Sequence, residues 1–165
     1  MKRFVAITLL LCFCLSGCKG LEARLKEPVT FYYLQKEYSY GGHGSILTSE
    51  IRETYGEHRG LDYLMALYLM GPTEEEHTMP VPSGTKIISA VQENGAVVLV
   101  LSDAASVLSE SELTLACACL SMTCFDFTDA KKVTLQVGER SISMTRSSLL
   151  LSDNNAENPI MEEKE

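Results

Sequence analysis

The chain has 165 residues, a formal net charge of −8 and a hydrophobic content of 45%. A chain of this length suits one domain with tails. Nucleic acids and anionic lipid surfaces are bound through basic faces, so the acidic balance argues against both as partners and favours proteins or neutral surfaces.

The first residues are typical of an export signal. Lys2 and Arg3 are basic, and the next 12 residues, Phe4 to Leu15, are apolar apart from Thr8. A helix needs about 20 residues to cross a bilayer, so this run is too short for a stable anchor.

The run ends in Leu15-Ser16-Gly17-Cys18, which resembles the bacterial lipobox. In that pattern the cysteine thiol takes a diacylglyceryl group and the preceding peptide is removed. The resemblance implies a lipoprotein signal peptide over 1–17 and lipid attachment, with acyl chains such as palmitate, at Cys18. Two acyl chains hold a protein on a bilayer, so we expect an extracytoplasmic protein anchored to the outer face of the cell membrane. The alternatives are an ordinary secretory signal with a chance cysteine, or an N-terminal membrane helix.

Removal of the signal would leave 148 residues, with 12 basic and 22 acidic side chains and a net charge of −10. Three cysteines would then remain free within the folded part: Cys117, Cys119 and Cys124. An odd number clustered within eight residues is a poor disulfide framework, so the fold is expected to rely on its core.

The first half of the chain predicts two strands and a helix. After a polar tether over 18–28, β-branched and aromatic residues predict a strand over 29–34, and a weaker strand follows over 46–52. Gly41 to Gly44 suits a turn or loop. Apolar residues spaced three and four apart predict a helix over 60–70, which Gly71-Pro72 ends. Thr73 to Ser83 is expected to be a loop.

Asn94-Gly95 is a strong hairpin signal, because a two-residue type I′ turn needs positive φ at both positions. The flanking strands are expected over 85–93 and 96–102. The second of them is apolar on both faces and is predicted to be a central strand.

Ser109 and Glu112 have the spacing of a capping box, which predicts a helix over 110–124. Helical spacing predicts its inner face, which is made by Leu113, Ala116, Cys117, Leu120 and Cys124.

The C-terminal part predicts a strand over 132–137, a turn at Gly138-Glu139 and a last strand over 141–145. Residues 146–165 are assigned to an acidic tail. Its part from 152 onwards has too little apolar surface to offset the cost of ordering, so disorder is expected there.

In this order, the elements resemble the GerMN domain of sporulation and spore-germination lipoproteins. The resemblance covers residues 29–145, and its motifs are Phe31 to Leu34, Leu64 to Leu69 with the following Met70-Gly71-Pro72, Pro82 to Ile87, Asn94 to Val98 and Lys132 to Val137. Two departures are Leu101-Ser102-Asp103, where members often have Asp-Phe-Ser, and the cysteine-rich second helix.

The resemblance implies an α+β fold: a two-layer α/β sandwich with a small mixed or antiparallel sheet and two helices on one face, similar to ring-building motifs. It also implies a domain that works by contact in envelope or sporulation complexes, with self-association into a homo-oligomer as a further expectation. The family brings no catalytic residues, so no catalytic residue, cofactor or metal site is assigned.

The residues themselves do not predict an enzyme. A metal site needs several convergent ligands, whereas His43, His58 and His77 are predicted to be solvated residues of loops or a helix entrance. Glu74 to Glu76 is typical of a solvated charge run. Neither a Gly-x-Ser-x-Gly elbow nor a phosphate-binding loop is present.

The three cysteines are expected to be small core residues. On one helix Cys117 and Cys124 share a face about 10 Å apart, too far to bridge, and Cys119 is predicted to point elsewhere. The alternative is a thiol exposed for an intermolecular contact.

These observations favour a membrane-anchored, non-catalytic interaction lipoprotein acting in sporulation or germination. The alternatives are an envelope lipoprotein that binds a small ligand or peptidoglycan fragment, and a cell-wall amidase-like enzyme.

Overall fold

A computed structural model describes residues 26–37, 45–55 and 60–150. The signal peptide, the lipid site Cys18, the loop histidines His43 and His58, and the tail beyond residue 150 lie outside these ranges. What the sequence predicts for these residues therefore stays a prediction.

The expected α+β class is confirmed. Ten helices and strands, with one 3-10 turn, follow each other in the described residues: β1 (Lys26–Gln35), β2 (Leu47–Tyr55), α1 (Leu61–Leu69), β3 (His77–Thr78), β4 (Ile87–Glu93), β5 (Ala96–Leu101), a 3-10 turn (Asp103–Val107), α2 (Glu110–Phe127), β6 (Lys132–Val137), β7 (Arg140–Thr145) and α3 (Arg146–Leu150). The strands divide between two sheets, where the sequence indicated one.

The first sheet has the order β2-β1-β3 and is antiparallel throughout. Strands β1 and β2 pair over nine residues, from Lys26 opposite Tyr55 to Leu34 opposite Leu47. Strand β1 thus begins three residues before the expected start at Val29, because the end of the presumed tether pairs with β2. Strand β3 is a two-residue strand inside the segment predicted to be a loop.

The second sheet has the order β4-β5-β6-β7. Strands β4 and β5 form the expected hairpin, with φ of 51° at Asn94 and 73° at Gly95. Helix α2 connects β5 to the parallel strand β6, as parallel pairing requires. Strand β5 is internal, as predicted, but it is buried on one face only: Val97 is fully buried, whereas Val98 is 38% exposed.

Helix α2 lies between the two sheets, in contact with β1 on one side and with β6 and β7 on the other. All five residues of its predicted inner face are buried. Cys119, predicted to point elsewhere, is also fully buried, because α2 has a second buried face against β1. There Thr123 Oγ1 accepts the Tyr32 N–H at 3.0 Å and Asp126 Oδ2 accepts the Thr30 N–H at 3.1 Å.

These two bonds satisfy donors along the edge of β1 that β3 does not reach. A bare sheet edge can pair with another chain, so α2 both covers the core and blocks this edge. The predicted single layer of helices on one sheet is therefore replaced by a helix shared between two sheets.

The short helix α3 occupies the first five residues of the segment assigned to the tail. Arg146, at its start, donates to the carbonyl oxygens of Phe125 and Thr128 and lies 5.1 Å from the centroid of the Phe125 ring. A cation at a helix C-terminus is favourable, so this contact links α3 to the end of α2.

Within the described ranges, no helix combines the length and the apolar character needed to span a membrane.

Candidate functional site

The strongest concentration of buried polar groups is centred on Glu50, whose side chain is only 5% exposed. Alternation along β2 puts Glu50 and Arg52 on the same face of the sheet as their cross-strand partners Phe31 and Val29. We call Glu50, Arg52, Tyr33, Tyr68 and His77 the polar centre.

Glu50 binds the loop that follows α1. Its carboxylate accepts the N–H of Thr73 at 3.0 Å, the hydroxyl of Thr73 at 3.1 Å and the N–H of Glu74 at 3.2 Å. Arg52 donates to the same carboxylate through Nε at 2.6 Å and also through Nη2. A buried carboxylate is tolerated only with such partners, and here the partners fix the chain after Gly71-Pro72.

Arg52 also caps α1, which has no basic residue in its own last turn. Its Nη1 donates to the carbonyl oxygen of Leu67 at 3.1 Å, and Nη2 donates to that of Gly71. The guanidinium carbon lies 4.9 Å from the Phe31 ring centroid and 5.6 Å from that of Tyr33, within the range of cation–π attraction. One side chain therefore joins a strand, a helix end and two aromatic rings.

Tyr33 and Tyr68 are the two aromatic residues of the polar centre. Their rings stack with centroids 4.9 Å apart. The Tyr33 hydroxyl accepts from Arg52 at 2.8 Å, and the Tyr68 hydroxyl donates to the carbonyl oxygen of Tyr32 at 2.9 Å. Burial raises the pKa of Tyr33 to about 12 and that of Tyr68 well above its usual value, so both phenols remain protonated.

The pKa of Glu50 is set by two opposed effects. Burial by itself raises the pKa of the carboxyl, but the hydrogen bonds from Arg52, Thr73 and Glu74 outweigh it, and the net pKa is lowered. Glu50 is therefore a stably ionised acceptor at neutral pH.

The prediction of a solvated histidine is wrong for His77. Its side chain, on β3, is 10% exposed, because β3 pairs with β1 and carries the ring over Tyr33, with centroids 6.3 Å apart. Nε2 lies 3.0 Å from Thr48 Oγ1. Nδ1 lies 3.4 Å from Glu50 Oε2, without the alignment of a hydrogen bond.

The polar centre serves the fold by its geometry. Its charged and phenolic groups are directed at backbone groups of α1, β1 and the loop at Thr73. Among the residues that the structure describes, no three His, Cys, Asp or Glu side chains converge as metal ligands. The arrangement can therefore hold a helix and a loop against a sheet.

The three thiols of α2 are core groups in this structure. Cys117 Sγ lies 3.6 Å from the carbonyl oxygen of Ile142 and 3.7 Å from Ser121 Oγ. Burial raises the pKa of Cys117 and brings the pKa of Cys119 and of Cys124 to about 12. Such thiols are poor nucleophiles.

A hollow of about 400 Å³ lies beside β1 and β2, on the face of their sheet that is opposite the polar centre. The described residues that line it are Tyr32, Ser45, Leu47, Thr48, Ser49, Ala118, Met122 and Leu149. Its size falls within the range of ligand sites, about 300–1,000 Å³. Its described lining consists of hydroxyl and apolar side chains.

The sequence did not identify the polar centre. A charged residue at every second position of a strand, as at Glu50 and Arg52, was the available signal, since period two puts both on one face. Which face that would be depends on the pairing of β2 with β1.

The fold and this centre define an α+β domain built around a helix shared by two sheets. The Germane family, described as sporulation and spore germination, matches residues 30–143. The chain therefore belongs to the Germane family, and the predicted GerMN-type membership is confirmed.

One of the solved structures that match the chain shows the same fold. The tandem GerMN domains of the sporulation protein GerM from Bacillus subtilis match with a TM-score of 0.52 and 18% identity, over 76% of this chain and 43% of that chain. This chain thus spans less than half the length of that chain. The first GerMN domain of GerM matches with a TM-score of 0.48 and 13% identity, over 70% of this chain and 86% of that chain. A protein from Clostridium perfringens named as a lipoprotein matches with a TM-score of 0.41 and 14% identity, over 78% and 95%. No curated protein matches the chain.

Proposed function

We propose that the protein is a lipoprotein, anchored through Cys18 to the outer face of the cell membrane, whose domain makes non-catalytic contacts with envelope or sporulation-complex proteins. The observation that carries the proposal is the family match over 30–143 behind an N-terminal lipobox. The family match supports the proposed process, and the resemblance of Leu15 to Cys18 to a lipobox supports the proposed location.

The geometry of the domain supports a role based on its surface. Glu50 and Arg52, a largely buried ion pair, are directed at backbone groups of the fold. The thiols of α2 are buried with raised pKa values. This carboxylate, this guanidinium and these thiols therefore stabilise the core.

The anchor is tested by the mass of the mature chain. In an endospore-forming host, the wild-type chain should lose residues 1–17 and gain a diacylglyceryl group on Cys18. A Cys18→Ala variant should keep its leader or appear unlipidated in the medium. A wild-type chain with the leader retained and an unmodified thiol at position 18 would contradict the anchor.

The process is tested in the same host by deletion and complementation. Loss of the gene should lower the yield of spores or their germination, and the wild-type chain should restore both. The Cys18→Ala chain, expressed at equal level, should restore neither fully if tethering matters. Unchanged spore yield and germination after deletion would overturn the proposed process.

Crosslinking in sporulating cells can identify the partner proteins. Photoreactive residues placed at exposed positions of the domain should yield adducts with a restricted set of envelope proteins, identified by mass spectrometry. The same residues placed at buried positions such as Leu99 provide the background. Adducts no richer than that background would count against a contact function.

The hollow beside Tyr32 favours one second candidate, the binding of a small ligand or peptidoglycan fragment. Tyr32 and Ser49 offer hydroxyls at a site of about 400 Å³. Titration with soluble muropeptides should then shift the NMR signals of Ala118 and Met122, and Ser49→Trp should abolish the shifts. No shift at millimolar muropeptide would exclude this candidate.

A further inference from the structure

The four-stranded sheet has one face that packs on the core and an opposite face that we call the outer face. The buried residues of β5 and β6 are Val97, Leu99, Leu101, Val133, Leu135 and Val137, so the residues between them face the opposite side. The pairing registers order these opposite-side residues into three rows across β4, β5, β6 and β7: Glu93-Ala96-Lys132-Thr145, then Val91-Val98-Thr134-Ser143, then Ser89-Val100-Gln136-Ser141.

This outer face is divided into an apolar and a hydroxyl half. Val91 is 42% exposed and Val98, its direct cross-strand partner, is 38% exposed, while Ile88 at the adjoining register shift is 64% exposed. On the other half, Thr134 and Ser143 join their hydroxyls at 2.9 Å. Exposed apolar side chains grouped on one sheet face commonly mark an interaction site.

Charge is nearly absent from the outer face. Its three rows contain one acid, Glu93, and one base, Lys132, in a chain whose net charge is −8. Two copies of so acidic a chain repel each other. They can approach most closely through a surface on which charge cancels, and this face is such a surface.

The charges at its two ends are arranged in opposite senses. On β4, Glu93 ends the strand and Lys86 precedes its start; on β6, Lys132 starts the strand and Glu139 follows its end. A two-fold axis through the central row, perpendicular to the strands, would reverse the strand direction and keep each strand opposite its own copy. It would bring Glu93 towards Lys86 of the second copy and Lys132 towards Glu139.

We propose that a second copy of this chain docks on the outer face, with Val91 and Val98 opposite the same residues of the second copy across a two-fold axis perpendicular to the strands. Such a contact is isologous, as two-fold dimers require. It places the apolar half on the apolar half, and it pairs opposite charges at both ends.

The size of the face limits the area that the dimer can bury. Four strands of six residues cover about 400 Å², given the strand spacing and the rise per residue. Stable interfaces bury about 800 Å² per partner. The dimer is therefore weak and forms with rising concentration, as it would where chains share a membrane surface.

Sedimentation of the purified full chain, in a density-matched detergent, tests the association. The average mass should rise towards twice the monomer mass between about 10 µM and about 1 mM. Val98→Lys should keep the chain monomeric over this range. The matched control Val107→Lys, at a valine that is 77% exposed on the 3-10 turn, should associate like the wild type. A wild-type monomer at about 1 mM, or association of Val98→Lys equal to that of the control, would overturn the proposal.

Charge reversal tests the orientation. Glu93→Lys should weaken association, because it places Lys86 of the second copy against another cation. Lys86→Glu combined with Glu93→Lys should restore it to the wild-type level. Failure of the double variant to associate better than Glu93→Lys would overturn the two-fold arrangement.

Crosslinking in cells separates a second copy from another occupant. With a short bis-maleimide, Val98→Cys should give a homodimer, whereas Val107→Cys and the parent chain should not. An adduct of Val98→Cys with a different protein in place of the homodimer would overturn the proposal and identify the outer face as a heterologous interface.

Discussion

The guanidinium of Arg52 donates through Nη1 to the carbonyl oxygen of Leu67 at 3.1 Å, so a residue of β2 satisfies the last turn of the helix that follows it. Four carbonyls at a helix C-terminus lack partners within the helix, and α1 has no basic residue of its own there. The same guanidinium is held in place by Glu50. This ion pair therefore helps to hold α1 on the sheet, together with the buried side chains of Leu64, Met65 and Tyr68.

Replacement of Arg52 by methionine should destabilise the domain by about 3 kcal/mol, because it leaves the carboxylate of Glu50 buried without its cation. Arg52→Lys should recover only part of this loss, since an ammonium cannot reach Glu50, Leu67 and Gly71 at once. Urea unfolding followed by circular dichroism gives the free energy of unfolding. Lys131→Met, at an exposed lysine, is the control and should change stability by less than about 0.5 kcal/mol. Equal effects of Arg52→Met and Lys131→Met would refute the capping role.

Glu50 should make stability depend on pH in the acidic range. Its folded pKa is lowered from the model-peptide value of 4.5. A depressed pKa means that the unfolded chain binds the proton more tightly, so the stabilisation is fully present above pH 4.5. It is lost as pH falls through the folded pKa. Glu50→Gln should cost about 1–3 kcal/mol at pH 7, where hydrogen bonds to the charged group are lost.

The difference between the wild type and Glu50→Gln should then shrink as the pH falls below 4.5, because a protonated glutamate resembles glutamine in charge. Chemical unfolding at pH 7, 5, 4 and 3 measures this difference. Glu75→Gln, in the exposed part of the loop, should give no such trend. A difference that stays constant from pH 7 to pH 3 would show that Glu50 is not the titrating group.

Elements whose signals are local were predictable from the sequence. Strand β6 has the predicted bounds, since its apolar alternation is complete within six residues. The hairpin at Asn94-Gly95 follows from the backbone freedom of two residues, and α2 starts at the predicted capping box. In each case the residues that determine the structure are neighbours in the chain.

The second sheet and the polar centre depend on distant residues. The Tyr32 N–H meets Thr123 across 91 positions, and Arg52 reaches Leu67 across 15. Periodicity along a single strand or helix does not reveal such a distant partner, so the sequence indicated one buried face for α2 where the structure has two. His77 was misplaced for the same reason, because only pairing with β1 removes it from solvent.

The capping box of α2 provides a local test. Ser109 N–H donates to Glu112 Oε2 at 2.8 Å, and the Ser109 hydroxyl accepts the Glu112 N–H at 3.4 Å. Ser109→Ala should lower the free energy of unfolding by about 1 kcal/mol, as for other N-caps. Ser106→Ala, at an exposed position on the preceding 3-10 turn, should have a smaller effect. Thermal and urea unfolding of both variants measure the difference, and a loss no larger for Ser109→Ala would argue against the cap.

The thiols of α2 should not react with alkylating reagents until the domain unfolds. Cys117, Cys119 and Cys124 are all buried, and burial raises the pKa of the last two to about 12. At pH 8 almost no thiolate is present, and the reagent cannot reach the sulfur. Iodoacetamide should therefore leave the peptide that contains these cysteines unmodified in the native chain and modify all three in urea, as read by peptide mass spectrometry. Val107→Cys, at an exposed site, should react in the native chain and prove that the reagent is active. Rapid native modification of Cys119 would mean that α2 separates from β1, which would contradict a rigid helix shared between the two sheets.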